Sequence, residues 1–123
     1  GRLAVAGPDV PAGKYAKASL SALGVWPSVA GRLAQAENVR VALQYVALGE
    51  APLGVVYDTD ALAEPRVRIV GFFPDASHPP IVYPAALTHR GNTASGRAFM
   101  RFLTGAEAAR IFRRHGFRTP ASI

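Results

Sequence analysis

Short apolar segments of strand length alternate along this chain with longer segments of helical periodicity. The predicted strands are Arg2–Ala6, Leu53–Tyr57, Val67–Phe73 and Ile81–Leu87. The run Leu53–Tyr57 is unbroken and follows Pro52, which is typical of a strand buried on both faces of a sheet. Pro84 lies inside the last run and restricts it to a sheet edge or an irregular crossing.

Four segments between and after these strands have helical spacing. The predicted helices are Lys14–Leu23, Glu37–Leu48, Thr93–Leu103 and Ala106–His115. In the second of them, apolar residues recur every three or four positions from Val39 to Val46, and Gly49 follows as a stop signal. The order of elements favours an α/β fold, in which a mixed sheet is flanked by helices, over an all-helical or all-β fold.

Composition narrows the class of protein further. The chain has 123 residues, which is the size of one compact domain and too short for two full-sized ones. Half of the residues are hydrophobic and only 18% are charged, which excludes a disordered chain. No apolar run approaches the roughly 20 residues that span a bilayer. The absence of cysteine excludes disulfides, thiolate metal sites and cysteine nucleophiles.

The net charge of +6 is confined to the end of the chain. Residues 1–80 carry seven basic and seven acidic side chains, whereas residues 81–123 carry seven arginines and only Glu107. The arginines are interpreted either as the solvated faces of terminal helices or as a basic patch for an acidic partner. The proline-rich run Pro74–Pro80 lies at this change and is predicted to link two parts, 1–80 and 81–123.

Known catalytic patterns do not fit the sequence. The segment Gly7–Tyr15 resembles a phosphate loop, but its glycine spacing is wrong and Tyr15 replaces the required Ser or Thr. The chain has no Gly-x-Ser-x-Gly turn, and its three histidines lack metal-ligand spacing. Asp58 and Asp60 form the closest carboxylate pair and are interpreted as a solvated turn. We therefore predict no enzyme activity, no cofactor and no direct metal site.

Five segments together carry a family resemblance. They are Val10–Lys17, Ala36–Arg40, Glu50–Ala61, Phe73–Pro84 and Ile111–Phe117. Their order and spacing resembles the periplasmic molybdate-binding proteins, type II periplasmic binding proteins that serve molybdate ABC transporters. The resemblance extends from Arg2 to about Phe117 and implies the C-terminal half of a two-lobed protein. Residues 1–80 would form the second lobe, and residues 81–123 the return crossing and C-terminal helices that in the family pack on the first lobe.

The resemblance also implies a site for molybdate or tungstate. The family's ligand-binding positions match Ala12, Val39 and Tyr57, of which the first two would donate backbone N–H groups and the third its phenol. Ala12 and Val39 lie at predicted helix starts, where N–H groups lack intrahelical partners and the helix dipole favours an anion. Tyr57 ends a predicted strand, at the sheet edge where α/β proteins bind ligands. Taken singly, each of the three is also an ordinary structural residue.

The family further implies periplasmic localisation and a membrane permease as partner, with no role for nucleic acid. With the first lobe's donors absent, these 123 residues are expected to bind the anion weakly. A ligand-sensing regulatory domain of the same architecture is the alternative function. A nucleic-acid module built on the C-terminal arginines is a third, but no aromatic stacking platform lies near them. The apolar residues among 85–123 also predict a self-associated chain, most simply a homodimer.

Overall fold

A computed structural model describes residues 1–120 of the chain. The chain divides into two compact units that meet between Pro80 and Ile81, and the described residues of each unit are treated separately below. Within residues 1–120, none of the helices combines the length and apolarity that crossing a bilayer requires.

The first unit is built on a three-stranded parallel sheet. Its strands are β1 (Leu3–Ala6), β2 (Leu33–Ala36) and β3 (Leu53–Gly54), in the spatial order β2-β1-β3. Leu3 lies opposite Leu33 on one side and Leu53 on the other. The three strands run in the same direction because a helical crossover separates each from the next. The predicted α/β class is confirmed, but all pairings between described strands are parallel, so the expectation of a mixed sheet is corrected.

Helices of the first unit follow the strands in turn. They are α1 (Pro11–Ala22), α2 (Trp26–Val29), α3 (Val39–Ala47) and α4 (Asp58–Leu62), with 3-10 turns at Ala30–Arg32 and Asp75–Ser77. Pro11 begins α1, where a residue without an N–H group is tolerated. Gly24 and Gly49, which follow α1 and α3, have φ angles of 74° and 78°. Glycine adopts this left-handed conformation without strain, so both helices end where the sequence predicted.

The core of this unit is made of small side chains. Ala4 of β1, Ala36 of β2 and Ala42 of α3 form a buried cluster with Ala51. Partly buried Val41, Tyr45, Val46 and Val56 pack around it. Because alanine projects little beyond the backbone, α3 packs close to the sheet. The central strand β1 is correspondingly the most buried element, with Ala4, Val5 and Ala6 all 3% exposed or less.

Two predicted strands are not formed. Val67–Phe73 and Ile81–Leu87 have irregular backbone and pair with no strand among residues 1–120. Val70 and Phe72 are more than 70% exposed, so within residues 1–120 their side chains lie largely uncovered. Prolines at positions 79, 80 and 84 remove backbone donors around the later segment.

The third strand also differs from its prediction. Only Leu53–Gly54 of the predicted Leu53–Tyr57 strand is regular, and it is an edge strand with Leu53 half exposed. The prediction that this strand is buried on both faces is therefore wrong. A strand paired on one side only leaves part of its surface to solvent.

Two helices are described in the second unit. They are α5 (Ala94–Leu103) and α6 (Ala106–Arg114), and both agree with prediction to within one residue at each end. The Thr93 hydroxyl caps α5 by accepting a hydrogen bond from the Gly96 N–H at 3.1 Å. The Phe117 ring packs edge-on against Phe112 and Tyr83, with centroids 6.2 and 5.7 Å away. These aromatic contacts join the end of α6 to the segment that precedes α5.

Candidate functional site

The carboxyl ends of the three parallel strands define the candidate site. Each strand leads directly into the segment that carries one predicted ligand residue: Ala12 after β1, Val39 after β2 and Tyr57 after β3. The Gly7 N–H donates to the Ala36 carbonyl at 2.8 Å, which ties the segments after β1 and β2 together. Because parallel strands end at a common edge, the topology places the three residues along one edge of the sheet.

Ala12 is the second residue of α1 and is buried. The first described backbone hydrogen bond of this helix runs from the Lys14 N–H to the Val10 carbonyl, at 3.0 Å. The earlier N–H groups, at Ala12 and Gly13, precede any intrahelical acceptor. Gly13 fits tightly, because a Cβ atom there would collide with the carbonyl oxygens of Ala6 and Gly7. The start of α1 therefore packs directly against the end of β1.

Val39 is the first residue of α3, two residues later than the predicted helix start at Glu37. The Asn38 side chain caps the helix by accepting a hydrogen bond from the Val41 N–H at 3.0 Å. The Asn38 carbonyl accepts from the Ala42 N–H at 3.2 Å. These bonds occupy the third and fourth N–H groups of α3. The first two, at Val39 and Arg40, have no intrahelical acceptor and lie at the positive end of the helix dipole.

Tyr57 lies three residues beyond β3, at the residue that precedes α4, and is partly buried. Its carbonyl accepts hydrogen bonds from the Asp60 and Ala61 N–H groups at 3.1 and 3.2 Å. Its ring meets the Tyr15 ring of α1 edge-on, with centroids 6.5 Å apart. This contact joins the helix that carries Ala12 to the segment that carries Tyr57.

Asp60 differs from its predicted role. It is a buried residue, only 5% exposed, and not a solvated turn residue. Its Oδ1 forms an ion pair with Arg40 Nε at 2.8 Å. Its Oδ2 is buried and has no hydrogen-bond partner in the part of the chain that the structure describes. Asp58, by contrast, is exposed and accepts from the Thr59 N–H. The Arg40–Asp60 pair joins the first turn of α3 to α4. The two residues are twenty positions apart, so no local sequence pattern predicts their contact.

The two lysines of α1 do not supply a positive charge for an anion at the candidate edge. Lys14 is exposed to solvent. Lys17 lies over the Trp26 ring, 5.5 Å from its centroid. Both lysines line a groove of about 490 Å³ beside α1, and none of the three predicted ligand residues lines it. In residues 1–120, no three metal-binding side chains come together. Lys14 and Lys17 therefore line a different surface from the three predicted ligand residues.

Comparison with known proteins gives a consistent family. The Bacterial extracellular solute-binding protein family matches residues 1–118. The chain is 49% identical over 118 residues to Molybdate-binding protein ModA of Escherichia coli strain K12, covering 95% of this chain and 46% of that protein. It is 41% identical to Molybdate-binding protein ModA of Haemophilus influenzae, covering 88% of this chain and 42% of that protein.

A solved structure supports the same family. The substrate-binding domain of a putative molybdenum ABC transporter from Clostridium difficile is similar with a TM-score of 0.82 and 29% identity. The match covers 98% of this chain and 53% of that one. The chain thus spans about half the length of the relatives it matches. The family consists of solute-binding proteins, which are not enzymes. With its parallel sheet and flanking helices, the chain belongs to the Bacterial extracellular solute-binding protein family.

Proposed function

We propose that this chain forms half of a two-lobed receptor that binds molybdate or tungstate for import by an ABC transporter. The observation that carries the proposal is the placement of two helix starts and Tyr57 along one edge of a parallel sheet. Relatives named for molybdate binding at 49% and 41% identity support the choice of anion. The parent receptor would act in the periplasm and deliver the anion to a membrane permease.

In this proposal, the backbone N–H groups of Ala12 and Val39 and the phenol of Tyr57 donate hydrogen bonds to the oxyanion. Neutral and rigid donors stabilise a dianion through oriented dipoles, and their spacing can select among anions by size. Each hydrogen bond to a charged group contributes about 1.5 to 3 kcal/mol after exchange with water. Three such bonds on one side of the anion barely offset the cost of association. Tight binding therefore requires donors from a second lobe, and residues 1–123 alone should bind weakly.

The decisive experiment removes one backbone donor without removing a side-chain function. In Val39→Pro the N–H group is lost at the first position of α3, where proline is well tolerated. Asn38 is already extended, as a residue before proline requires. We expect molybdate affinity of the full-length receptor, measured by calorimetric titration, to fall by about 1.5 to 3 kcal/mol. Tyr57→Phe should produce a loss of about 1 to 3 kcal/mol for the same reason.

Matched controls separate ligand contact from damage to the fold. Ala106→Pro makes the same change at the first position of α6, after the extended residue Gly105, and should leave affinity unchanged. Tyr45→Phe removes a phenol from α3 in the core and should do likewise. Unchanged affinity in both Val39→Pro and Tyr57→Phe, with normal folding, would contradict the proposed site.

A further inference from the structure

The backbone around Tyr57 is weakly fixed by the sheet. The strand β3 is two residues long, and its last described ladder-like bond runs from the Val55 N–H to the Ala4 carbonyl at 2.9 Å. Beyond it, the carbonyl of Tyr57 is held by the first turn of the five-residue helix α4. These bonds hold the main chain of Tyr57. Packing of its ring against neighbouring side chains contributes to where its phenol lies.

Tyr15 supplies that packing from α1, which packs closely against the end of β1. The Tyr15 and Tyr57 rings meet at 64° with centroids 6.5 Å apart, which is a favourable edge-to-face arrangement. Tyr15 follows Gly13 by two residues, at the point where α1 rests against the end of β1. The position of Tyr15 is thus tied to the close approach of Gly13 to the Ala6 and Gly7 carbonyls.

The segment after the irregular stretch supports Tyr15 from another direction. The His78 ring lies edge-on to Tyr15, with centroids 6.0 Å apart. Ser77 Oγ is within hydrogen-bond distance of Ser19 Oγ at 2.9 Å, and Ser19 is 1% exposed. Tyr15 and Ser19 are four residues apart, so they share one face of α1. The segment 77–78 therefore packs along this face and forms an aromatic row His78–Tyr15–Tyr57.

From these contacts we propose that Tyr15 is a positioning residue that holds the Tyr57 phenol at the carboxyl edge of the sheet. This inference rests on the proposed function, in which that phenol donates to the oxyanion. Tyr15 acts through its ring and touches no ligand itself. It also links the Ala12 donor to the Tyr57 donor, because Tyr15 and Ala12 belong to the first turns of the same helix.

A double-mutant cycle in the full-length receptor tests the inference. Tyr15→Phe keeps the ring and should change the molybdate dissociation constant by less than about twofold, whereas Tyr15→Leu should raise it about fivefold or more. In a Tyr57→Phe background, Tyr15→Leu should cause little further loss, since no phenol remains to be positioned. Tyr45→Leu removes a ring from the core and serves as the matched control: it should lower the melting temperature without this coupling.

Each outcome distinguishes failure of the positioning role of Tyr15 from failure of the proposed ligand set. If Tyr57→Phe weakens binding but Tyr15→Leu does not, the positioning role is overturned and the proposed site stands. Equal losses from Tyr15→Leu in both backgrounds also overturn it, because the effect is then independent of Tyr57. If Tyr57→Phe binds normally, the proposed ligand set fails first. Tyr15→Met, which also lacks a ring, replaces Tyr15→Leu if that variant does not fold.

Discussion

Individual carboxylates of the first unit differ in how their charge is compensated. Asp60 is buried, with Oδ1 on Arg40 and Oδ2 without a described partner, whereas Glu64 is partly buried with both oxygens on Arg66. A buried carboxylate depends strongly on its remaining partner, since water cannot replace it. The single arginine contact of Asp60 should therefore matter for stability.

Replacing Arg40 should destabilise the first unit. Arg40→Leu leaves the Asp60 carboxylate buried without its guanidinium, and we expect unfolding free energy to fall by about 1 to 3 kcal/mol. Arg68→Leu, at an exposed arginine outside both described ion pairs, is the matched control and should cost clearly less. Urea denaturation followed by circular dichroism measures both variants. Equal losses in the two would contradict the structural role of Asp60.

Glu64 should titrate at unusually low pH. Hydrogen bonds from the Arg66 side chain and backbone N–H lower the pKa of Glu64 from 4.5 to about 2. Since the folded pKa lies below the unfolded one, this contribution to stability is present above about pH 4.5 and is lost as pH falls towards 2. Side-chain carbon NMR over an acid titration reads the Glu64 pKa directly. Arg66→Gln should return it towards 4.5; a midpoint near 4.5 in the unmodified chain would contradict the contact.

At the scale of elements, the geometry of the candidate site depends most on the contact between the start of α1 and the end of β1. Ala12 and Tyr15 both lie in the first turns of this helix, on either side of Gly13. The start of α1 can approach the Ala6 and Gly7 carbonyls only because residue 13 has no side chain. Any Cβ at this position must push the helix away from the strand.

Gly13→Ala should therefore cost both stability and binding. We expect a loss of about 1 to 3 kcal/mol in unfolding free energy from overpacking, together with weaker molybdate binding in the full-length receptor. Gly31→Ala is the matched control, because a Cβ at Gly31 meets no atom within 4 Å. Thermal denaturation and calorimetric titration measure the two effects. A Gly13→Ala variant as stable as Gly31→Ala would contradict the close packing.

The longer helices α1, α3, α5 and α6 were predictable because local signals mark their ends, whereas the short helices α2 and α4 were not predicted. Pro11, Gly24, Gly49 and Gly105 lie within two residues of a helix end in the structure, and each acts through its own backbone preference. Strands lack such signals. The sequence Leu33–Ala36 has weak alternation and was missed, although it pairs with β1 over its full length. Val67–Phe73 has strong β-propensity but no strand beside it among residues 1–120.

The candidate site was predictable in part. The predicted helix starts Lys14 and Glu37 lie within three residues of the observed starts of α1 and α3. The family resemblance selected Ala12, Val39 and Tyr57. The contacts that position these residues could not be read, because they join distant parts of the chain: Tyr15 with His78, and Arg40 with Asp60. Pairing between residues twenty or sixty positions apart leaves no periodic signal.

At the scale of the whole molecule, the two units differ in charge. The balanced charge of residues 1–80 contrasts with the arginine-rich residues 81–123. Several large apolar side chains of the second unit are exposed: Phe99, Phe102, Ile111 and Phe112. Where exposed apolar side chains form a patch, it usually binds a partner. The division into 1–80 as second lobe and 81–123 as a segment packing on another lobe remains a proposal.

We predict that residues 1–123 self-associate, most simply as a two-fold dimer. Size-exclusion chromatography with light scattering, over a dilution series, should give a mass above the 13.0 kDa of one chain. Phe99→Ser should shift the equilibrium towards monomer, whereas Phe72→Ser, an exposed aromatic in the first unit, should not. A mass of 13.0 kDa at every concentration would contradict the prediction.

The use of helix starts as donors has a consequence for how such receptors diverge. On the proposed assignment, two of the three donors in this chain are main-chain groups, at Ala12 and Val39. Every amino acid except proline carries that N–H, so substitutions at these two positions preserve the chemistry while erasing its trace in the sequence. Tyr57 has no such freedom, because its donor is the side chain itself. Distant relatives can therefore retain the same anion specificity with no recognisable ligand residue except the tyrosine.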